Sequence, residues 1–63
     1  MVELTRLNDT KFTLNADLIE MIEEVPDTVL TLTTGKKIFV KESRYEVRNL
    51  VVLYKQEVFR NIL

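Results

Sequence analysis

A chain of 63 residues and 7.4 kDa has room for one hydrophobic core, which excludes a multidomain enzyme. Its 46% apolar and 30% charged residues belong to a chain that folds, and with neither Cys nor His it lacks thiolate zinc sites, disulfides and the commonest general base. The formal charge of −1 hides a polarity: residues 1–34 carry two basic side chains against seven acidic ones, and residues 35–63 carry seven against three. With a pI near 5.3 the chain lacks the basic excess of a phosphate binder, and the polarity suits halves that attract each other within or between subunits.

In chain order, Val2 to Leu7 and Lys11 to Leu14 are short β-favouring runs separated by Asn8-Asp9-Thr10, which tolerate tight turns, and together they predict a hairpin. Leu18 to Val25 fits two periods. Leu18, Ile19, Met21, Ile22 and Val25 make a helix face, whereas Ile19, Met21, Glu23 and Val25 share one strand face; strand is preferred here, after one helical turn at Asn15-Ala16-Asp17. Pro26-Asp27 ends that segment in a turn. Thr28 to Thr33 and Lys37 to Lys41 flank the single Gly35 and predict a second hairpin. An odd-length loop with left-handed Gly35 sets Leu30 and Leu32 on the face of Ile38 and Val40, leaving Val29, Thr31 and Phe39 on the other.

Ser43-Arg44-Tyr45-Glu46 is a capping box and marks the start of a helix. Val47, Leu50, Val51, Tyr54 and Val58 then recur at intervals of three and four, the stripe expected to lie on the sheet. Tyr45, Val52 and Phe59, seven apart and extended by Leu63, form a second stripe on roughly the opposite side. An aromatic stripe open to water on so small a protein is an association liability unless it is an interface, so Tyr45, Val52, Phe59 and Leu63 are the expected homo-oligomer interface. Between the stripes run Arg44, Arg48 and Lys55, the candidate surface for an acidic partner or phosphates; the simpler reading is a solvated face, or one that pairs with Glu23 or Glu24 of another subunit.

Catalytic patterns are weak. Glu20, Glu23 and Glu24 offer paired carboxylates, but acid–base chemistry on such a pair needs a deep cleft, and a solvated acidic strand is the simpler reading. Thr34-Gly35-Lys36-Lys37 lacks the strand-to-helix glycine run that cradles phosphates and reads as a turn. Asp17 and Glu20 lack the alternating loop ligands of a calcium site. No basic n-region precedes an apolar one at the start, and the longest apolar run, Leu50 to Tyr54, falls far short of a membrane span, so a cytoplasmic protein is expected.

Taken as ordered strings, Leu4-Thr5-Arg6-Leu7-Asn8, Phe12-Thr13-Leu14-Asn15-Ala16-Asp17-Leu18-Ile19-Glu20, Pro26-Asp27-Thr28-Val29, Leu32-Thr33-Thr34-Gly35-Lys36-Lys37 and Val40-Lys41-Glu42-Ser43 resemble the FlbD/SwrD family, small proteins encoded among flagellar genes. Order and spacing carry the likeness, which extends to about Tyr54 and fades beyond it. Asn8-Asp9 stands where an Asn-Gly pair is expected, and Thr34 where Asn is common. The resemblance implies a role in flagellar motility and swarming tied to motor power, without known catalysis, and it transfers no ligand residues. The similarly named response-regulator transcription factor is a different and much longer protein.

The expectation is therefore one α+β domain over residues 1–63, assembled as a homo-oligomer. A small antiparallel sheet of about five short strands within residues 1–42 precedes one C-terminal amphipathic helix from about residue 44 to 60. Its expected function is that of a non-enzymatic accessory raising flagellar motor power through contacts with a motor or stator component. No cofactor, metal, small-molecule substrate or membrane span is expected, and the location is the cytoplasm, including the cytoplasmic side of the flagellar base. The alternative, motivated by the basic half and the small sheet, is an oligomeric nucleic-acid-binding regulator.

Overall fold

The structure, a computed structural model, describes the backbone of residues 1–62 and the side chains of residues 1–60. Strands β1 (Val2–Thr5) and β2 (Lys11–Leu14) pair antiparallel, with Val2 opposite Leu14 and Leu4 opposite Phe12. The turn between them forms because Asn8 Oδ1 accepts from the Thr10 N–H at 3.1 Å and its hydroxyl at 2.6 Å. Asp9 takes φ +72°, a left-handed conformation that a short polar side chain tolerates. Glycine is thus not required there. The strand is shorter than the β-favouring run that predicts it: Arg6 closes the turn, its N–H donating to the Thr10 carbonyl at 2.8 Å and its carbonyl accepting from the Asp9 N–H at 2.9 Å, and it also bridges to Val40.

A single 3-10 turn, Ala16–Leu18, is capped by Asn15, whose Oδ1 accepts from the Asp17 N–H at 3.0 Å. It delivers the chain into β3 (Ile19–Glu24), so the ambiguous segment is a strand. The expected strand face of Ile19, Met21, Glu23 and Val25 is corrected by the pairing. Between Ile19 and Met21 the register shifts by a bulge, and the inward residues become Ile19 and Ile22, while Met21 is 48% and Val25 87% exposed. One extra residue in a strand reverses the phase of everything after it.

Strand β4 (Thr28–Leu32) follows a cis Val25–Pro26 bond and lies between β3 and β5 (Lys37–Val40). The second hairpin closes as predicted, with Gly35 at φ +90° and the Leu32 N–H donating to the Lys36 carbonyl at 2.8 Å. Leu30 stands opposite Ile38, and the other face shows half-buried Val29 and Thr31 beside exposed Phe39.

The five strands fall into two sheets, β1–β2 and β3–β4–β5, joined at the end of β1. There the Lys41 N–H donates to the Thr5 carbonyl at 2.8 Å, and both Thr5 donors are taken by Glu42: the N–H to Oε1 at 2.9 Å and the hydroxyl to Oε2 at 2.8 Å. Burial pushes the Glu42 carboxyl up. The Thr5 N–H and hydroxyl, Glu42's own N–H and the charge of Lys11 together outweigh that and hold it below its ordinary value of 4.5.

Helix α1 (Arg44–Ile62) starts on the capping box: the Glu46 N–H donates to Ser43 Oγ at 3.1 Å, and the Ser43 N–H donates to Glu46 Oε1 at 3.2 Å. It packs against β3 and β1. Val47 is fully buried in the core with Val2, Leu4, Leu14, Ala16, Leu30, Leu32 and Val40, and Leu50, Val51 and Tyr54 lie partly buried against it. Val58, expected on the same stripe, is instead exposed, because the helix is 19 residues long and outruns the sheet. From Lys55 to Arg60 every side chain is exposed.

Ser43→Ala removes the acceptor of one free helix donor and should lower stability by ~0.5 to 2 kcal/mol, read as a lower urea midpoint. Because the Glu42 carboxyl has a lowered pKa in the fold, its stabilisation is complete above 4.5 and is lost as pH falls through the folded value. Glu42→Gln should therefore be less stable at neutral pH by about 1 kcal/mol, with the two proteins' midpoints converging in acid.

Candidate functional site

Helix α1 carries three kinds of surface, and the 100° turn per residue separates them. The core stripe faces the strands. Arg44, Arg48 and Lys55 lie along one flank and Tyr45, Val52 and Phe59 along the side away from the core.

The cationic flank borders a groove. Arg44, Arg48 and Lys55 all line an open depression of about 330 Å³ between α1 and β3. Its apolar floor is Ala16, Ile19, Ile22 and Val51, and Glu20 closes the strand side. The bulge in β3 creates this floor, since it turns Ile19 and Ile22 toward the helix although they are three residues apart. Lys55 Nζ sits 3.7 Å from Asp17 Oδ1 in an exposed pair. Arg44 lies with its guanidinium 5.4 Å from the Tyr45 ring centroid, and its backbone N–H donates to Glu24 Oε1 at 2.8 Å. Neither the Arg44 nor the Arg48 guanidinium has a carboxylate within salt-bridge distance among the described residues.

The apolar side is open. Tyr45 is 66% exposed, Phe59 63% and Val52 40%, and Leu53, outside the expected stripe, is 60% exposed. Leu63 lies outside the described residues. Phe59 and Val58 border a shallower depression of about 230 Å³ with Asp17, Tyr54 and Lys55, so the groove and the end of the stripe meet at Lys55.

The acidic residues separate. Glu20 borders the groove, while Glu23 and Glu24 line a separate open depression of about 510 Å³ with Ile22, Val25 and Arg44, where Glu24 is taken up as acceptor for the Arg44 N–H. Among the described residues no three His, Cys, Asp or Glu side chains gather in a metal-ligand arrangement, and no helix is long and apolar enough to cross a membrane. The charge polarity of the sequence is met partly within the chain, where Lys41 pairs with Asp9 and Lys55 with Asp17.

The cationic flank is legible in the sequence, and its floor is not. Ile19 and Ile22 carried a signal, because apolar residues three apart in a strand require a bulge if both face inward. Leu53 and Met21 carried none, as isolated exposed apolar residues are ordinary.

The arrangement is that of a small α+β module whose polar and apolar patches are displayed on one helix. The model of the FlbD family, flagellar and swarming motility proteins, matches residues 1–59, and the chain belongs to that family. The match reaches Phe59, further along the helix than the strings that suggest it. Membership links the protein to flagellar and swarming motility. No curated protein matches the chain, and no solved structure does.

Since the Lys55 and Asp17 side chains are mostly solvent-exposed, their pair should add little to the fold. Lys55→Ala should shift stability by less than ~1 kcal/mol in urea unfolding, whereas a larger loss would make Lys55 a structural residue.

Proposed function

We propose that this protein is a non-enzymatic accessory of flagellar motility that supports swarming by raising motor power through protein–protein contacts, acting in the cytoplasm at the flagellar base. It forms a homo-oligomer through Tyr45, Val52 and Phe59 and meets a motor or stator component through Arg44, Arg48 and Lys55. The observation that carries this reading is the aromatic stripe left open on a helix that outruns its own core. Two large aromatic residues more than half exposed on one helix make a natural anchor for a partner surface. Repeating the module in an oligomer multiplies a weak contact with the motor, and differential binding then shifts which motor state is populated. Family membership supports the motility setting.

The double substitution Val52→Glu with Phe59→Glu tests it. A buried aromatic anchor is worth ~2 kcal/mol or more, so association should weaken by roughly thirtyfold or more while the fold persists. Light scattering should report a smaller species, and cells should assemble flagella but swarm poorly. An undiminished oligomer would remove the interface assignment. Dissociated protein in normally swarming cells would remove self-assembly from the mechanism. The nucleic-acid alternative predicts oligonucleotide binding whose affinity falls steeply with salt, and flat anisotropy at micromolar protein removes it.

A further inference from the structure

The groove between α1 and β3 differs from the outer stripe in kind, because it combines a sunken apolar floor with unsatisfied positive charge. About 330 Å³ is room for one or two apolar side chains, and the floor of Ala16, Ile19, Ile22 and Val51 offers them nothing but hydrocarbon. Above that floor, the Arg44 and Arg48 guanidiniums stand one helical turn apart with no carboxylate partner among the described residues. Lys55 is paired with Asp17, and the Arg44 guanidinium lies over the Tyr45 ring with Glu24 at its backbone N–H, so Arg48 is the cation of this flank with neither an ion pair nor an aromatic partner among the described residues. A phosphate chain would leave the floor empty, and an apolar helix would bury two guanidiniums without partners, which is costly.

We propose that this groove docks an acidic amphipathic segment of a partner protein, which seats one or two aliphatic side chains on Ile19, Ile22 and Val51 while flanking carboxylates pair with Arg44 and Arg48. Arg is suited to this task because its planar fork meets a carboxylate through two parallel hydrogen bonds. Glu20, on the opposite rim, repels a carboxylate placed on the strand side and so orients the segment with its acidic edge toward the helix. The proposal deepens the reading of a protein–protein accessory by stating the chemistry of the partner, and it does not depend on the outer stripe.

The test is a selection from a random peptide library displayed on phage, with the intact protein as bait and the variant Arg44→Gln with Arg48→Glu as counter-bait. Enriched peptides should carry Asp or Glu beside Leu, Ile or Val at helical spacing. One of them, labelled, should lose about tenfold or more in affinity for the variant by fluorescence anisotropy. A control, Lys36→Glu with Lys37→Glu in the β4–β5 hairpin, neither of which lines the groove, makes the same kind of charge change and should leave binding within about threefold. Circular dichroism establishes that both variants fold.

Enrichment of neutral or basic peptides, no enrichment, or equal loss in the control would overturn the proposal. So would tighter binding of a single-stranded oligonucleotide than of any selected peptide, which would make the groove a phosphate site. If Arg44→Gln with Arg48→Glu dissociates the protein in light scattering, the occupant is a second copy and the partner segment is ruled out. Failure of the outer-stripe variant to change assembly leaves this result untouched, so the two readings fall separately.

Discussion

Thr5 and Glu42 hold the two sheets together. β1 and β2 pair only with each other, and β3, β4 and β5 form a separate ladder, so without a junction the helix would rest on two independent pieces. One backbone bond from Lys41, the Arg6–Val40 bridge and the two-pronged carboxylate of Glu42 make that junction. The carboxylate takes over a donor that a further strand residue would otherwise satisfy, and its charge strengthens both hydrogen bonds. Everything above depends on this alignment. Val2 and Leu4 from one sheet, and Leu30, Leu32 and Val40 from the other, must present one continuous floor for Val47 to fill.

The second constraint is the β3 bulge. It lets one strand serve two surfaces, with Ile19 and Ile22 turned toward the helix and Met21 turned out. The first consequence is energetic, since both isoleucines gain packing. The other is geometric, because this register places Ile19 and Ile22 in the groove floor beside Arg44 and Arg48. An edge strand that carries a bulge and three glutamates is also a poor template for indiscriminate strand addition.

What the sequence disclosed and what it withheld have physical reasons. Local signals read well: the capping box, the left-handed Gly35 with its odd loop, and the 3-10 turn all depend on residues within a few positions of each other. Signals that depend on distant pairing did not. The bulge arises where β3 meets β4, the split into two sheets where Thr5 meets Glu42, and the exposure of Val58 where the helix passes the end of the sheet. For the surface, the cationic flank and the aromatic stripe were legible as helix periodicity. The floor beneath the cations was not, because it comes from another strand.

The stretch of α1 beyond Lys55 has another consequence, for affinity. A short length of helix with no strand beneath it draws little stability from tertiary packing and must rely on its own propensity. Whatever docks there therefore meets a conformational equilibrium as well as a surface, and the observed affinity is the intrinsic affinity reduced by the fraction of molecules that are helical. Residues that touch no partner then become tuning elements. Gln56, exposed and without an assigned contact, is such a position: exchange for a stronger or weaker helix former would raise or lower partner affinity without altering one interfacial atom. Evolution could adjust how firmly this module engages simply by changing its helical propensity.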